Sequence, residues 1–186
     1  MSSLLKLFDI AGKTAIVTGG SRGIGAMMAR SLVENGVKTY ITSRTEEECR
    51  NMAEALSQYG ECGAIPCDLS TLEGKKELVQ TFSSKEEKLD ILINNAGIVE
   101  GGPLDSFSES EWDRVMMINL KSPFFLTRQL LNKLKRAASA DTPARVINIA
   151  SVLGMQAPGA DSLYAYTTSK AGVIHLTKHL ATRLAR

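Results

Sequence analysis

The chain has 186 residues, with 44% hydrophobic and 23% charged, a length and balance that build one domain around a sizeable core. A net charge of +2 with no basic stripe excludes nucleic acid or a membrane surface as the partner. Met1–Ile10 holds a short apolar run, a single lysine and then Asp9. That is too short to span a bilayer and is not laid out as a secretory leader, so a cytoplasmic protein is expected.

Short β-branched runs alternate with longer stretches of helical period. Strands are predicted over Thr14–Thr18, Lys38–Ser43, Gly63–Cys67, Asp90–Asn94 and Arg145–Ala150. Helices are predicted over Ile24–Asn35, Glu46–Tyr59, Thr71–Ser84 and Glu111–Arg136, with a last one from about Leu163. Such alternation predicts an α/β fold of Rossmann type, a doubly wound parallel sheet covered on both faces. Continuously apolar strands such as Ala15-Ile16-Val17 and Ile91-Leu92-Ile93 agree with burial on both sides. Ser108-x-x-Glu111 is a capping-box pattern ahead of the fourth helix. Pro123 lies inside that helix and predicts a bend or break there, and Ala137–Pro143 reads as a surface loop. Residues 1–186 read as one domain.

Two residue sets give no metal or disulfide signal. Cys49, Cys62 and Cys67 are odd in number and lack CxxC spacing, as reduced cytosolic thiols would be. His175 and His179 stand four apart, but no third ligand lies nearby, so no metal site is expected.

The first strand runs straight into Thr18-Gly19-Gly20-Ser21-Arg22-Gly23-Ile24-Gly25 and then into a helix. Glycines let the backbone approach a pyrophosphate closely, and the helix start beyond offers free N–H donors with partial positive charge. Gly19, Ser21, Arg22, Gly23, Ile24 and Gly25 are therefore candidate dinucleotide contacts. The second strand ends in Thr42-Ser43-Arg44-Thr45, with no carboxylate until Glu46. A carboxylate there would grip the ribose hydroxyls of NAD, whereas a guanidinium meets a 2′-phosphate with two charge-assisted bonds. Arg44, helped by Arg22, points to NADP(H).

Tyr166 and Lys170 are four residues apart, one turn along one helix face. A free phenol titrates near pH 10, too high for proton transfer at neutrality. Lowering it by about two to three units needs roughly 3–4 kcal/mol, which a nearby ammonium can supply. The pair thus suits proton exchange at a carbonyl oxygen. Tyr164 has Thr168 at the same spacing, which carries no charge.

Thr18–Gly25, Asp68-Leu69, Asn94-Asn95-Ala96-Gly97, Asn119, Ser151 and Tyr166…Lys170 follow the order of the short-chain dehydrogenase/reductase family, and the chain resembles it from Lys13 onward. Within that family it looks like the 3-oxoacyl (β-ketoacyl) reductase branch. Pro143–Ile149 and Tyr164-Ala165-Tyr166 are similar to the NADPH-dependent ketoacyl reductases of rhamnolipid synthesis. The resemblance implies that Ser151 binds the substrate carbonyl, Tyr166 delivers the proton, Lys170 holds the cofactor ribose, and Asn119 anchors a water relay. It implies that Asp68 and Leu69 meet the adenine, that Asn94 approaches the adenine ribose, and that Ala96 and Gly97 lie along the cofactor. A small-molecule carbonyl compound is the implied substrate, and a homo-oligomer the implied assembly, with Phe124, Phe125, Leu126, Leu130, Leu131 and Leu134 available for packing.

Two departures stand out. Ala157–Asp161 lengthens the stretch between Ser151 and Tyr166 and predicts a bulge at the mouth of the site. The family continues past the tyrosine–lysine helix with a sixth strand, a Pro-Gly turn and a substrate-binding segment, whereas this sequence stops at Arg186. A truncated form is therefore expected, with the Val146–Ile149 edge unpaired. A nucleotide-binding fragment without catalysis, or an alcohol or sugar dehydrogenase of the same family, are the competing readings.

Overall fold

The computed structural model describes residues 8–156 and 163–185, so the expected bulge over Ala157–Asp161 lies outside the described residues. In chain order the elements are β1 (Thr14–Thr18), α1 (Gly23–Glu34), β2 (Lys38–Thr42), α2 (Glu46–Ser57), β3 (Cys62–Ala64), α3 (Leu72–Lys85) and β4 (Ile91–Asn94). Then come α4 (Glu109–Met116), a π segment (Met117–Lys121), α5 (Ser122–Ala137), β5 (Arg145–Asn148), a 3-10 turn (Val152–Gly154) and α6 (Tyr164–Leu184).

The five strands form one parallel sheet in the order β3-β2-β1-β4-β5. Alternate residues of the central strands feed two cores. Ala15, Val17, Ile41 and Ile93 pack with Ala29 of α1 and Cys49, Ala53 and Leu56 of α2. Ile16, Tyr40 and Leu92 pack on the opposite face with Leu78 and Phe82 of α3 and Leu126, Leu130 and Leu134 of α5. Burying each large apolar side chain contributes about 1.5–3 kcal/mol, and every β1 residue is buried. The order in which strands are added reverses between β1 and β4, which opens a crevice at their carboxyl ends.

The third strand is shorter and earlier than the predicted Gly63–Cys67. The regular pairing ends at Ala64, although Ile65 N–H still donates to Ile41 O at 2.9 Å and Cys67 N–H to Ser43 O at 3.0 Å. Pro66 is tolerated between them because its nitrogen lies on the open side of an edge strand. The predicted fourth helix is three pieces. Ser108 and Glu111 close the capping box, and α4 starts at Glu109. Pro123 sits in the first turn of α5 and cannot donate to the Asn119 carbonyl, its partner in a regular helix. The backbone widens instead, with Ser122 N–H reaching back to Met117 O.

Among the described residues β5 pairs with β4 alone, and Ile147 is 43% exposed on it. No described helix is long and apolar enough to cross a membrane.

Candidate active site

A cleft of about 590 Å³ opens at the carboxyl ends of the strands, over the crevice between β1 and β4. One wall is the glycine loop, with Gly19, Ser21, Arg22, Ile24 and Gly25. Gly19 has φ +65°, and a Cβ there would meet the Ala96 backbone at 3.0 Å. A Cβ at Gly25 would run into the Gly19 carbonyl, so α1 can start this close to the loop only with glycine. The first turn of α1 has no side-chain cap and no acidic residue, which leaves its N–H donors free for an anion. This uncapped, glycine-walled start fits a pyrophosphate.

Thr18 and Asn95 lock the floor beneath. Thr18 Oγ1 accepts from Asn95 N–H at 2.9 Å and Ala96 N–H at 3.0 Å, while Asn95 Nδ2 donates to the Thr18 carbonyl at 2.9 Å. Asn95, Ala96, Gly97, Ile98 and Ile118 continue along the cleft. At the far end stand Thr42, Ser43, Arg44, Thr45 and Glu48, facing Cys67, Asp68, Leu69 and Ser70. Burial would raise the Asp68 carboxyl, but the Ser70 hydrogen bonds and the nearby Arg44 and Lys75 charges hold it below its ordinary value. Asp68 Oδ1 accepts from Ser70 N–H at 2.8 Å and Ser70 Oγ at 2.7 Å, so it also shapes the turn.

Beyond Gly97 lie the four residues expected to carry chemistry. The Lys170 ammonium is 3.7 Å from where a Gly97 Cβ would sit, donates to Ile149 O at 2.7 Å, and is 5.7 Å from the Tyr166 ring centre. Lys170 is buried, and loss of water pushes its ammonium below the usual lysine value. Ser151 follows β5, and its Oγ accepts from Leu153 N–H at 3.2 Å. Gly154 seats the next turn on α6, because a Cβ there would lie 2.6 Å from the Lys170 carbonyl carbon. Asn119, on the π segment, donates from Nδ2 to Ser169 Oγ at 3.1 Å, and Ser169 in turn donates to the Tyr166 carbonyl at 2.7 Å. Asn119, Tyr166 and Lys170 are thereby joined in one packed unit.

Four of the expected cofactor contacts are not on the cleft lining: Tyr166 and Lys170 stand beyond its Gly97 end, and Asn94 and Gly23 serve other tasks. Asn94 is buried among β4, β5 and α5, with its Nδ2 donating to Asn148 Oδ1 at 2.8 Å and Thr127 Oγ1 at 3.3 Å. Its neighbour Asn95 takes the place by the cleft, as alternation along a strand requires when one residue faces the helices. Gly23 has φ +54° and serves the turn into α1 without lining the cleft. Among the described residues no group of three or more His, Cys, Asp or Glu side chains gathers to hold a metal.

Residues 13–186 match the family described as short chain dehydrogenase. A Pseudomonas aeruginosa protein, rhamnolipids biosynthesis 3-oxoacyl-[acyl-carrier-protein] reductase, is 48% identical over 177 residues, which is 95% of this chain and 69% of that protein. The 3-oxoacyl-[acyl-carrier-protein] reductase FabG of Chlamydia pneumoniae is 36% identical over 177 residues, again 95% of this chain and 69% of the relative. Among solved structures, the Pseudomonas aeruginosa RhlG/NADP active-site complex superposes with TM-score 0.92 at 48% identity, covering 96% of this chain and 69% of its own. A metagenomic short-chain oxidoreductase in complex with NADP gives TM-score 0.84 at 35% identity, covering 95% and 78%.

Proposed function

The chain belongs to the short-chain dehydrogenase/reductase family, and from that premise we propose an NADP(H)-dependent oxidoreductase that reduces a ketone, a 3-oxoacyl thioester above all. The observation that carries this reading is the Lys170 ammonium arriving beside Gly97, at the end of a cleft whose other end holds Arg44. In that cleft Arg44 would hold the 2′-phosphate of one nucleotide and the Tyr166–Lys170 pair would meet its nicotinamide end. When bound, NADPH supplies the hydride.

Each side chain then has a task. Ser151 Oγ donates a hydrogen bond to the carbonyl oxygen and steadies the charge that develops there. The Tyr166 hydroxyl hands its proton to that oxygen as the secondary alcohol forms. Lys170 donates one N–H to Ile149 O, which leaves two that would serve the ribose and the phenol. Asn119 holds the floor of the cleft and supports the route by which the tyrosine regains a proton. Arg22 and Arg44 meet the 2′-phosphate, and Asp68 and Leu69 take the adenine.

One domain carries both nucleotide and reacting ends. Leu126, Leu130 and Leu134 belong to the core, whereas Phe124 and Phe125 keep open surface for pairing with a second copy. Three unpaired thiols at Cys49, Cys62 and Cys67 suit a reducing, cytoplasmic setting.

The test is oxidation of NADPH by this chain with a 3-oxoacyl thioester. Tyr166→Phe is expected to abolish turnover and to leave NADPH affinity close to wild type. Turnover that survives the substitution overturns the proposed role. NADPH binding without turnover in the wild-type chain favours the nucleotide-binding reading, and NADP-dependent oxidation of an alcohol or sugar alone favours the dehydrogenase one.

A further inference from the structure

Lys75 is a buried charge that the proposed chemistry leaves unused. It sits in the first turn of α3, 4% exposed, with its Nζ donating to the Leu69 carbonyl at 2.9 Å. The position is adverse twice over. A cation in the first helical turn meets the positive end of the helix dipole. A buried ammonium also gives up its hydration, and an apolar residue of similar size would serve stability as well. Burial and the neighbouring Lys121 push the ammonium below its usual value, only partly opposed by Asp68 and Glu73. Residues that break local rules in this way concentrate where function requires them.

The contact it makes is with the wall of the nucleotide cleft. Leu69 lies between Asp68 and Ser70, and all three line the cleft opposite Arg44. Asp68 Oδ1 accepts both Ser70 donors, while Thr71 Oγ1 donates to the Asp68 carbonyl at 3.0 Å and accepts from Gly74 N–H at 2.9 Å. Those bonds fix the turn on either side of Leu69 but leave the Leu69 carbonyl to Lys75. A side chain at Gly74 would collide with the Asp68 carbonyl, so the turn lies directly on the helix that carries the lysine. We propose that Lys75 is a positioning residue for the adenine half of NADP(H): tethering the Leu69 carbonyl holds the Asp68–Ser70 wall in the shape the adenine needs. This rests on the NADP(H) reading of the cleft.

The experiment is calorimetric titration of the 186-residue chain with NADPH and with adenosine 2′,5′-bisphosphate, which carries the adenine half alone. In Lys75→Met both ligands are expected to bind about tenfold more weakly, as loss of a charged hydrogen bond implies. The KM for NADPH should rise by a similar factor with kcat nearly unchanged, and Lys75→Arg should restore most of the affinity. Unaltered bisphosphate binding in Lys75→Met overturns the proposal, as does a fall in kcat with KM unmoved. Should Lys75→Met fail to fold, Lys75→Gln provides the same comparison, and failure of both to fold assigns the lysine to stability alone and overturns it. A wild-type chain that binds neither ligand sinks the NADP(H) reading itself, a result visible before any variant is measured.

Discussion

Asn119 grips Ile98 by both of its backbone polar groups. Its Oδ1 accepts from Ile98 N–H and its Nδ2 donates to the Ile98 carbonyl, each at 2.9 Å. The segment leaving β4 is thereby fastened to the π segment as if it were paired with one more strand. Asn119→Ala leaves two polar groups of Ile98 without these partners, and stability should fall by about 2–4 kcal/mol in denaturant unfolding. NADPH affinity should fall with it, since Ile98 lines the cleft. A variant as stable as wild type would show that water replaces the amide.

Gly154 is where the turn after Ser151 touches α6. A methyl group there would lie 2.6 Å from the Lys170 carbonyl carbon and 2.8 Å from the Ala171 nitrogen, both backbone atoms that cannot swing aside. Gly154→Ala should cost about 1–3 kcal/mol through overpacking. It should also lower kcat more than NADPH affinity, because the clash falls between the Ser151 turn and the helix carrying Tyr166 and Lys170, away from the Arg44 and Asp68 end of the cleft. Equal falls in both would place the strain elsewhere.

Glu86 ties stability to pH on the acid side. Burial alone would raise its carboxyl, but Lys38 at 2.8 Å and the Tyr40 hydroxyl at 2.6 Å, both on Oε1, hold it below its ordinary value. A depressed carboxylate contributes stability above its unfolded value of about 4.3, and that contribution is lost as pH falls through the folded value. The denaturation midpoint should therefore drop below about pH 4.3, and Glu86→Gln should flatten the drop. On the alkaline side, burial and Glu86 push Tyr40 up to about 12. Its contribution is whole below the unfolded value of about 10 and fades as pH climbs toward 12. A variant whose acid limb matches wild type would remove Glu86 from this role.

Arg44 should decide between the two nicotinamide cofactors. It lines the end of the cleft, and along the chain no carboxylate follows it until Glu46. Arg44→Ala should weaken NADPH about tenfold while NADH stays within about twofold, as removal of one exposed charge-assisted contact implies. Equal losses for the two cofactors would point to a contact with the shared part of the nucleotide.

Much of this was legible in the residues themselves. Continuous apolar runs marked β1 and β4, because strands buried on both faces have no polar side to alternate. Glycine chemistry between Thr18 and Gly25 identified the nucleotide end, and Pro123 announced the disturbed helix that became the π segment. What escaped depended on direction in space. Asn94 and Asn95 are the same residue type side by side, and a period of two cannot say which face carries the cleft. Lys75 lies in Glu73-Gly74-Lys75-Lys76-Glu77, which reads as a solvated charged face, yet Lys75 is buried while Lys76 is exposed. β3 ends at Ala64, yet Ile65 and Cys67 keep their bonds to Ile41 and Ser43, so the predicted reach to Cys67 survives as an irregular extension of the strand.

The central place of β1 has a further consequence for synthesis. Its neighbour β2 follows within a short helical crossover, but β4 bonds to it from far down the chain, as in Thr14 N–H donating to Asp90 Oδ2 across 76 residues. At about 5–20 residues per second, a ribosome needs roughly 4–15 s to supply that second partner. Throughout that interval one edge of a strand destined for complete burial stands open beside whatever else is nearby. Expression yield should thus respond to translation speed and chaperone supply between Val37 and Asn94 more than to changes anywhere in α6.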